Sequence, residues 1–295
     1  MFLESHIAEN NIQLNTTAAY KSDLVQFQNF MGDTPIWKTS VNEIEKFLVE
    51  VSSIGASKAT VRRKLSAIKQ YLAFAKSENW INTNPATKVS GPKKELKLPK
   101  VLSETDIERL ISASYEYGKN EFERSKNAAM FELIYCSGMR VTELVSLTCK
   151  NFLGNPEYII IKGKGNKERV VPISSSALKA IKNWLVYKNS HIVMKKSKFL
   201  FPAQSKSGHI SREVFFRLVK KISQYAGLRA RDISPHSMRH AFATHLLNNG
   251  ADLRIIQSIL GHSDLSTTEI YTHLAGSELK KLIEDNHPLA KTRNK

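Results

Sequence analysis

Three short runs near the C-terminal end hold most of the residues whose types could do chemistry: Ser234-Pro235-His236-Ser237-Met238-Arg239-His240, Leu260-Gly261-His262-Ser263-Asp264 and Tyr271-Thr272-His273. Together with Arg140 far upstream they supply two guanidiniums, four imidazoles and a phenol. A guanidinium fork matches two phosphoryl oxygens and keeps its charge at any workable pH. A phenol, with a pKa near ~10, is a poor nucleophile at neutral pH. It becomes useful where cations and a proton acceptor surround it. The set reads as cleavage of a nucleic acid through a covalent phosphotyrosine.

Each residue has a competing use. Arg140 follows Ser137-Gly138-Met139 and precedes a helical pattern, which places its guanidinium at a helix start with Glu143 three residues on to hold it; alone, it could be a surface ion pair. Lys164 lies in Lys162-Gly163-Lys164-Gly165-Asn166-Lys167-Glu168-Arg169, a glycine-rich turn between two apolar β-branched runs. There it is a mobile point donor. The run lacks the GxxxxGK[ST] spacing of a nucleotide loop. His236 and Arg239 are three apart and share a helix face. His236, His240 and His245 could suggest zinc, but no HExxH frame and no nearby cysteine accompany them, so no metal is expected. Tyr135 and Tyr158 sit in apolar runs suited to a core, and Tyr225 precedes Ala226-Gly227, a helix end, whereas Tyr271 has polar neighbours in Thr272 and His273 and follows His262 by nine residues, which suits a nucleophile. Cys136 ends an apolar run and reads as a buried thiol.

In order and spacing Arg140, Lys164, His236, Arg239, His262 and Tyr271 resemble the catalytic set of the tyrosine recombinase (phage integrase) family, and the likeness spans nearly the whole chain. His240-Ala241-Phe242-Ala243-Thr244-His245-Leu246-Leu247, Ile270-Tyr271-Thr272-His273 and Asn286-His287-Pro288-Leu289-Ala290 look most like its Xer branch. Met139 departs from the pattern, leucine being commoner there. The resemblance implies a mainly α fold with a small β-sheet, built as an N-terminal helical core-binding (SAM-like) domain and a C-terminal catalytic domain. It implies DNA cut and rejoined through a 3′-phosphotyrosine, with Lys164 as general acid, His236 as proton acceptor or phosphate donor, and no cofactor. It further implies double-stranded DNA as partner, a heterotetramer with a sister Xer recombinase in chromosome dimer resolution, and a cell-division DNA translocase as a further partner. A mobile-element integrase, a type IB topoisomerase and an inactive DNA-binding relative are the rival readings.

The elements that must position these residues follow from apolar spacing. Tyr20, Leu24, Phe27 and Phe30, after Thr16 and Thr17, mark one helix face; Val41, Ile44, Phe47, Leu48 and Val51 mark a second. Val61, Leu65, Ile68, Leu72 and Ala75 mark a third, with Arg62 and Arg63 pointing away and Lys64 and Lys69 on its flanks, a face suited to DNA. Residues 1–90 form the first domain, 91–100 a Pro- and Lys-rich linker, and 101–295 the catalytic domain. Ser103 and Asp106 read as a capping box opening the second domain. Asp252 to His262 superficially mimics a helix-turn-helix, with Gly261 ending the helix and presenting His262. Beyond Tyr271, Leu279, Leu282 and Ile283 form a narrow stripe, and the resemblance makes this tail a docking segment for a neighbouring protomer.

Composition narrows the class. The chain has 295 residues, enough for two modest cores. Lys and Arg number 44 against 27 Asp and Glu, a net charge of +17. That excess points to a polyanion. Residues 1–95 carry a net +3 and the rest +14, so the second domain supplies most phosphate contacts. No run suits a membrane span and the N-terminus lacks a signal-peptide pattern, so a cytoplasmic protein without membrane insertion is expected. Two cysteines without a CxxC exclude a disulfide framework.

Overall fold

The computed structural model describes residues 14–93, 101–154, 156–162 and 168–261. The chain divides into two compact units, Met1–Leu98 and Pro99–Lys295. It is mostly helical, with one two-stranded sheet among the described residues.

In the first unit, α1 (Leu14–Met31), α2 (Val41–Ser53) and α3 (Lys58–Ser77) bring their apolar stripes together, and a short 3₁₀ turn at Pro85–Lys88 adds Ala86 to the core. Phe27 and Phe47 lie 4.9 Å apart at the centre, with Phe30 5.4 Å from Phe47. Ser40 starts α2 with a capping box: Glu43 N donates to its Oγ, and Ser40 N donates to Glu43 Oε2 at 2.6 Å. Such a cap contributes about 1 kcal/mol. Two expectations change here. The helix begins at Leu14, so Thr16 and Thr17 fall in its first turn rather than before it. Lys64 does not flank a DNA-facing surface. It is buried, and its Nζ donates to Asp23 Oδ1 at 3.0 Å and Gln26 Oε1 at 2.5 Å, while Arg63 holds the other oxygen of Asp23 at 2.6 Å.

The second unit carries α4 (Glu104–Glu116), α5 (Glu121–Ser137), α6 (Val141–Ser146), β1 (Tyr158–Lys162), β2 (Glu168–Pro172), α7 (Ser175–Ser190), α8 (Arg212–Tyr225), α9 (Pro235–Asn248) and α10 (Leu253–Leu260). Ser103 and Asp106 form the expected capping box of α4. α5 is apolar on nearly every side from Asn127 to Ser137 and is buried all round, with α4, α7 and α9 packed on it. A helix covered on all faces is the axis of its domain. Its residues Tyr135 and Cys136 are therefore core, and burial pushes the Cys136 thiol up to about 12, which removes it as a nucleophile. β1 and β2 pair antiparallel, with Ile161 opposite Arg169 and Ile159 opposite Val171. Strand alternation buries Ile159 and Ile161 and turns Tyr158 and Ile160 outward, so Tyr158 is exposed rather than core.

Candidate active site

Arg140 is mounted at the end of the most buried helix. α5 stops at Gly138, whose φ of +56° is left-handed, and a Cβ there would run into the Phe242 ring. Gly138 and Met139 then swing the chain so that Arg140 stands immediately before α6. Glu143, one turn into α6, accepts from Arg140 N at 2.6 Å and from Arg140 Nη1 at 3.1 Å. The guanidinium remains partly open to solvent, with 38% of the side chain accessible.

Arg239 comes from the first turns of α9, which Ser234 and Ser237 cap reciprocally around Pro235. Its Nη1 donates to the Gly138 carbonyl at 2.6 Å and its Nη2 to the Leu260 carbonyl at 2.5 Å. His236 lies one turn earlier on the same helix and is exposed. α10 is capped at its start by Asp252 and ends at Gly261, with φ +67°. The last carbonyls of a helix have no partner within it. Here the carbonyls of Ile259, Leu260 and Gly261 accept in turn from Arg169 Nε at 2.7 Å, Arg239 Nη2 at 2.5 Å and Arg140 Nη2 at 3.3 Å. Cations at the negative end of a helix are favourable.

The charge balance is lopsided. Arg140, Arg169 and Arg239 surround one carboxylate, Glu143, which leaves a surplus of two positive charges among the described residues. Burial and the neighbouring Arg140 and Arg169 cations bring Arg239 down to about 10, still charged at neutral pH. Burial raises the Glu143 carboxyl, but hydrogen bonds and charge from Arg169, with Arg140 behind it, outweigh that and hold it below 4.5. A guanidinium has five N–H donors. Arg140 and Arg239 each spend two on described partners, so the cluster keeps donors for an anion.

Of the sequence-predicted residues, Arg140 and Arg239 meet at the end of α10, and His236 shares a helix with Arg239. Lys164, His262 and Tyr271 lie outside the described residues, as does the tail stripe. His245 is buried, with Tyr135 Oη at 2.9 Å from Nδ1 and the Leu102 carbonyl at 2.7 Å from Nε2; it is a core residue. No group of three His, Cys, Asp or Glu among the described residues could hold a metal ion.

The family model described as phage integrase family matches residues 100–278, and that of the phage integrase N-terminal SAM-like domain matches residues 1–79. The chain belongs to the phage integrase family. It is a site-specific tyrosine recombinase. A tyrosine recombinase XerD of Rhizobium meliloti is 40% identical over 300 residues, covering 100% of this chain and 96% of that protein. A XerD of Caulobacter vibrioides is 38% identical, over 99% of this chain and 96% of the relative. A XerH site-specific recombinase, solved as a post-cleavage complex on palindromic difH substrate, is 27% identical with a TM-score of 0.71, covering 93% of this chain and 80% of that one. Among the described residues no helix is long and apolar enough to cross a membrane.

One residue of this candidate site escaped the sequence reading. Arg169 looked like the tail of a glycine-rich turn, yet it is as buried as Glu143 and grips both oxygens of that carboxylate at 2.7 Å. Its pairing opposite the buried Ile161 was the available signal, because residues directly opposite in an antiparallel pair share a face.

Proposed function

We propose that this tyrosine recombinase exchanges strands between two short sites on double-stranded DNA. In this reading Tyr271 Oη attacks a phosphodiester, a bond forms from Oη to phosphorus, and the bond to the 5′ oxygen breaks. The phenolic proton passes to His236, and Lys164 gives a proton to the departing oxygen. Arg140, Arg239 and His262 stabilise the negative charge that grows on the phosphoryl oxygens. The 5′-hydroxyl of the partner duplex then attacks the phosphotyrosine and returns Tyr271 to its free form. The ester conserves the bond energy, so neither ATP nor a metal is called for.

The observation that carries the reading is the surplus of guanidinium charge around Glu143, with Arg140 and Arg239 fixed on adjacent carbonyls of α10. Such a cluster suits one anion between two forks. XerD relatives at 38–40% identity over nearly the full length support chromosome dimer resolution. The same reading has the chain act in the cytoplasm, in a heterotetramer with a sister recombinase and under a cell-division translocase.

A nicked suicide duplex carrying a chromosomal dimer-resolution site, with and without the sister recombinase, tests this. The wild-type chain should be trapped as a covalent adduct, and Tyr271→Phe should bind the duplex without forming one. An adduct from the Phe variant would move the nucleophile elsewhere. Recombination at unrelated mobile-element ends but not at the chromosomal site would overturn the dimer-resolution assignment.

A further inference from the structure

We propose that Arg169 is a positioning residue for the cleavage step, locking together the start of β2, the carboxylate that steers Arg140, and the last turn of α10. All three of its side-chain nitrogens are committed. Nη1 and Nη2 donate to the two oxygens of Glu143 at 2.7 Å each, and Nε donates to the Ile259 carbonyl at 2.7 Å. Those partners lie 26 and 90 residues away in sequence. The side chain is 8% exposed, as is that of Glu143.

The three segments that Arg169 joins are the ones that carry the proposed chemistry. In sequence β2 begins four residues after Lys164, α6 begins directly after Arg140, and α10 ends two residues before His262. The hairpin's other ion pair, Lys162 with Glu168, spans 3.7 Å between largely exposed side chains. A pair of that kind contributes little and cannot fix the hairpin. Gly261 makes the grip sterically feasible. With φ +67° and a Cβ that would sit 3.0 Å from Arg169 Cδ, this position leaves just enough room for the arginine to pass.

Burying so much charge is costly, and a hydrophobic replacement of similar size would often fold as well. What a hydrophobic residue cannot do is set the direction of Glu143. With Arg169 bidentate on it, the carboxylate is held in one plane and its charge is shared. Arg140 therefore keeps a net pull on an incoming phosphate. Without Arg169, one carboxylate would neutralise one Arg140 and would be free to turn. Lysine is no substitute, because a point ammonium cannot serve a carboxylate in plane and a carbonyl at once.

This role rests on the transesterification proposed above, and single-turnover cleavage by the full chain at saturating protein separates the two. The substrate is the nicked suicide duplex, and the variants are Arg169→Lys and Arg169→Met. The amplitude reports the fraction of competent molecules and the rate constant reports the chemistry. We expect a rate constant about a hundredfold lower in both variants, at wild-type amplitude and unchanged half-saturating concentration. Arg169→Lys at the wild-type rate constant would overturn the role. So would a loss confined to amplitude, which would make Arg169 a matter of folding alone. If Arg169→Met fails to fold, Arg169→Lys decides by the same criterion. No adduct from the wild-type chain would overturn the transesterification itself and this role with it.

Discussion

Gly138→Ala tests whether the mounting of the arginines depends on backbone shape. Gly138 holds φ +56°, and a new Cβ there would strike the Phe242 ring and lie 3.1 Å from Leu260 Cδ2. The left-handed conformation costs an alanine about 1–2 kcal/mol. Forcing a methyl into a packed core adds roughly 1–3 kcal/mol. Gly154 supplies the control in the same unit: its φ is +75°, but nothing lies within 4 Å of a Cβ added there. Gly154→Ala should therefore cost only the conformational part, and Gly138→Ala about 2 kcal/mol more. At roughly 2–4 °C per kcal/mol for a unit of this size, that is a further fall in Tm of about 4–8 °C. Differential scanning calorimetry of the full chain reads it, the transition that moves in both variants belonging to this unit. Because the Gly138 carbonyl also receives Arg239 Nη1, the same variant should cleave more slowly at equal occupancy. Equal losses of stability in the two alanine variants would refute the steric reasoning.

Three further outcomes are expected. With a net charge of +17 and at least roughly six phosphate contacts, log affinity for duplex should fall against log salt with a slope steeper than about −5, and a flat dependence in filter binding or anisotropy would argue against a two-domain grip. Burial holds His245 below its ordinary 6.5, so the unfolded chain takes up the proton first; the stability this group contributes is full above 6.5 and is lost as pH falls below it, and His245→Asn should flatten the Tm profile there while lowering it overall. Asp23→Ala should cost about 3 kcal/mol by leaving Lys64 buried without its carboxylate, whereas Lys64→Met should cost less because Asp23 keeps Arg63; urea unfolding that ranks them the other way would refute this account.

What was legible in the sequence depended on range. The stripes through Phe27, Phe47 and Leu65, and the Ser103–Asp106 box, are set by neighbours a few residues away, and they form as read. The contact between Arg140 and Glu143 likewise lies within one turn. Lys64 was misplaced because the residue that buries it, Asp23, is 41 positions upstream, and helical spacing says nothing of a partner helix's charge. Tyr158 was misread because an apolar run in a two-stranded hairpin is covered on one face only. Arg169 was missed because its partners belong to elements far away in the chain and because charge at a turn ordinarily means solvent.

The order in which a ribosome delivers the three carbonyls that end α10 bears on the safety of an enzyme that cuts DNA. Arg140, Arg169 and Arg239 are all synthesised before Ile259, Leu260 and Gly261, on which they are fixed. α10 is eight residues long, too short to persist by itself in water. It is held by the domain that its carbonyls help to complete. A nascent or prematurely terminated chain thus has the three arginines without the carbonyls that fix them. The three arginines can be fixed in this way only after Gly261 has been made.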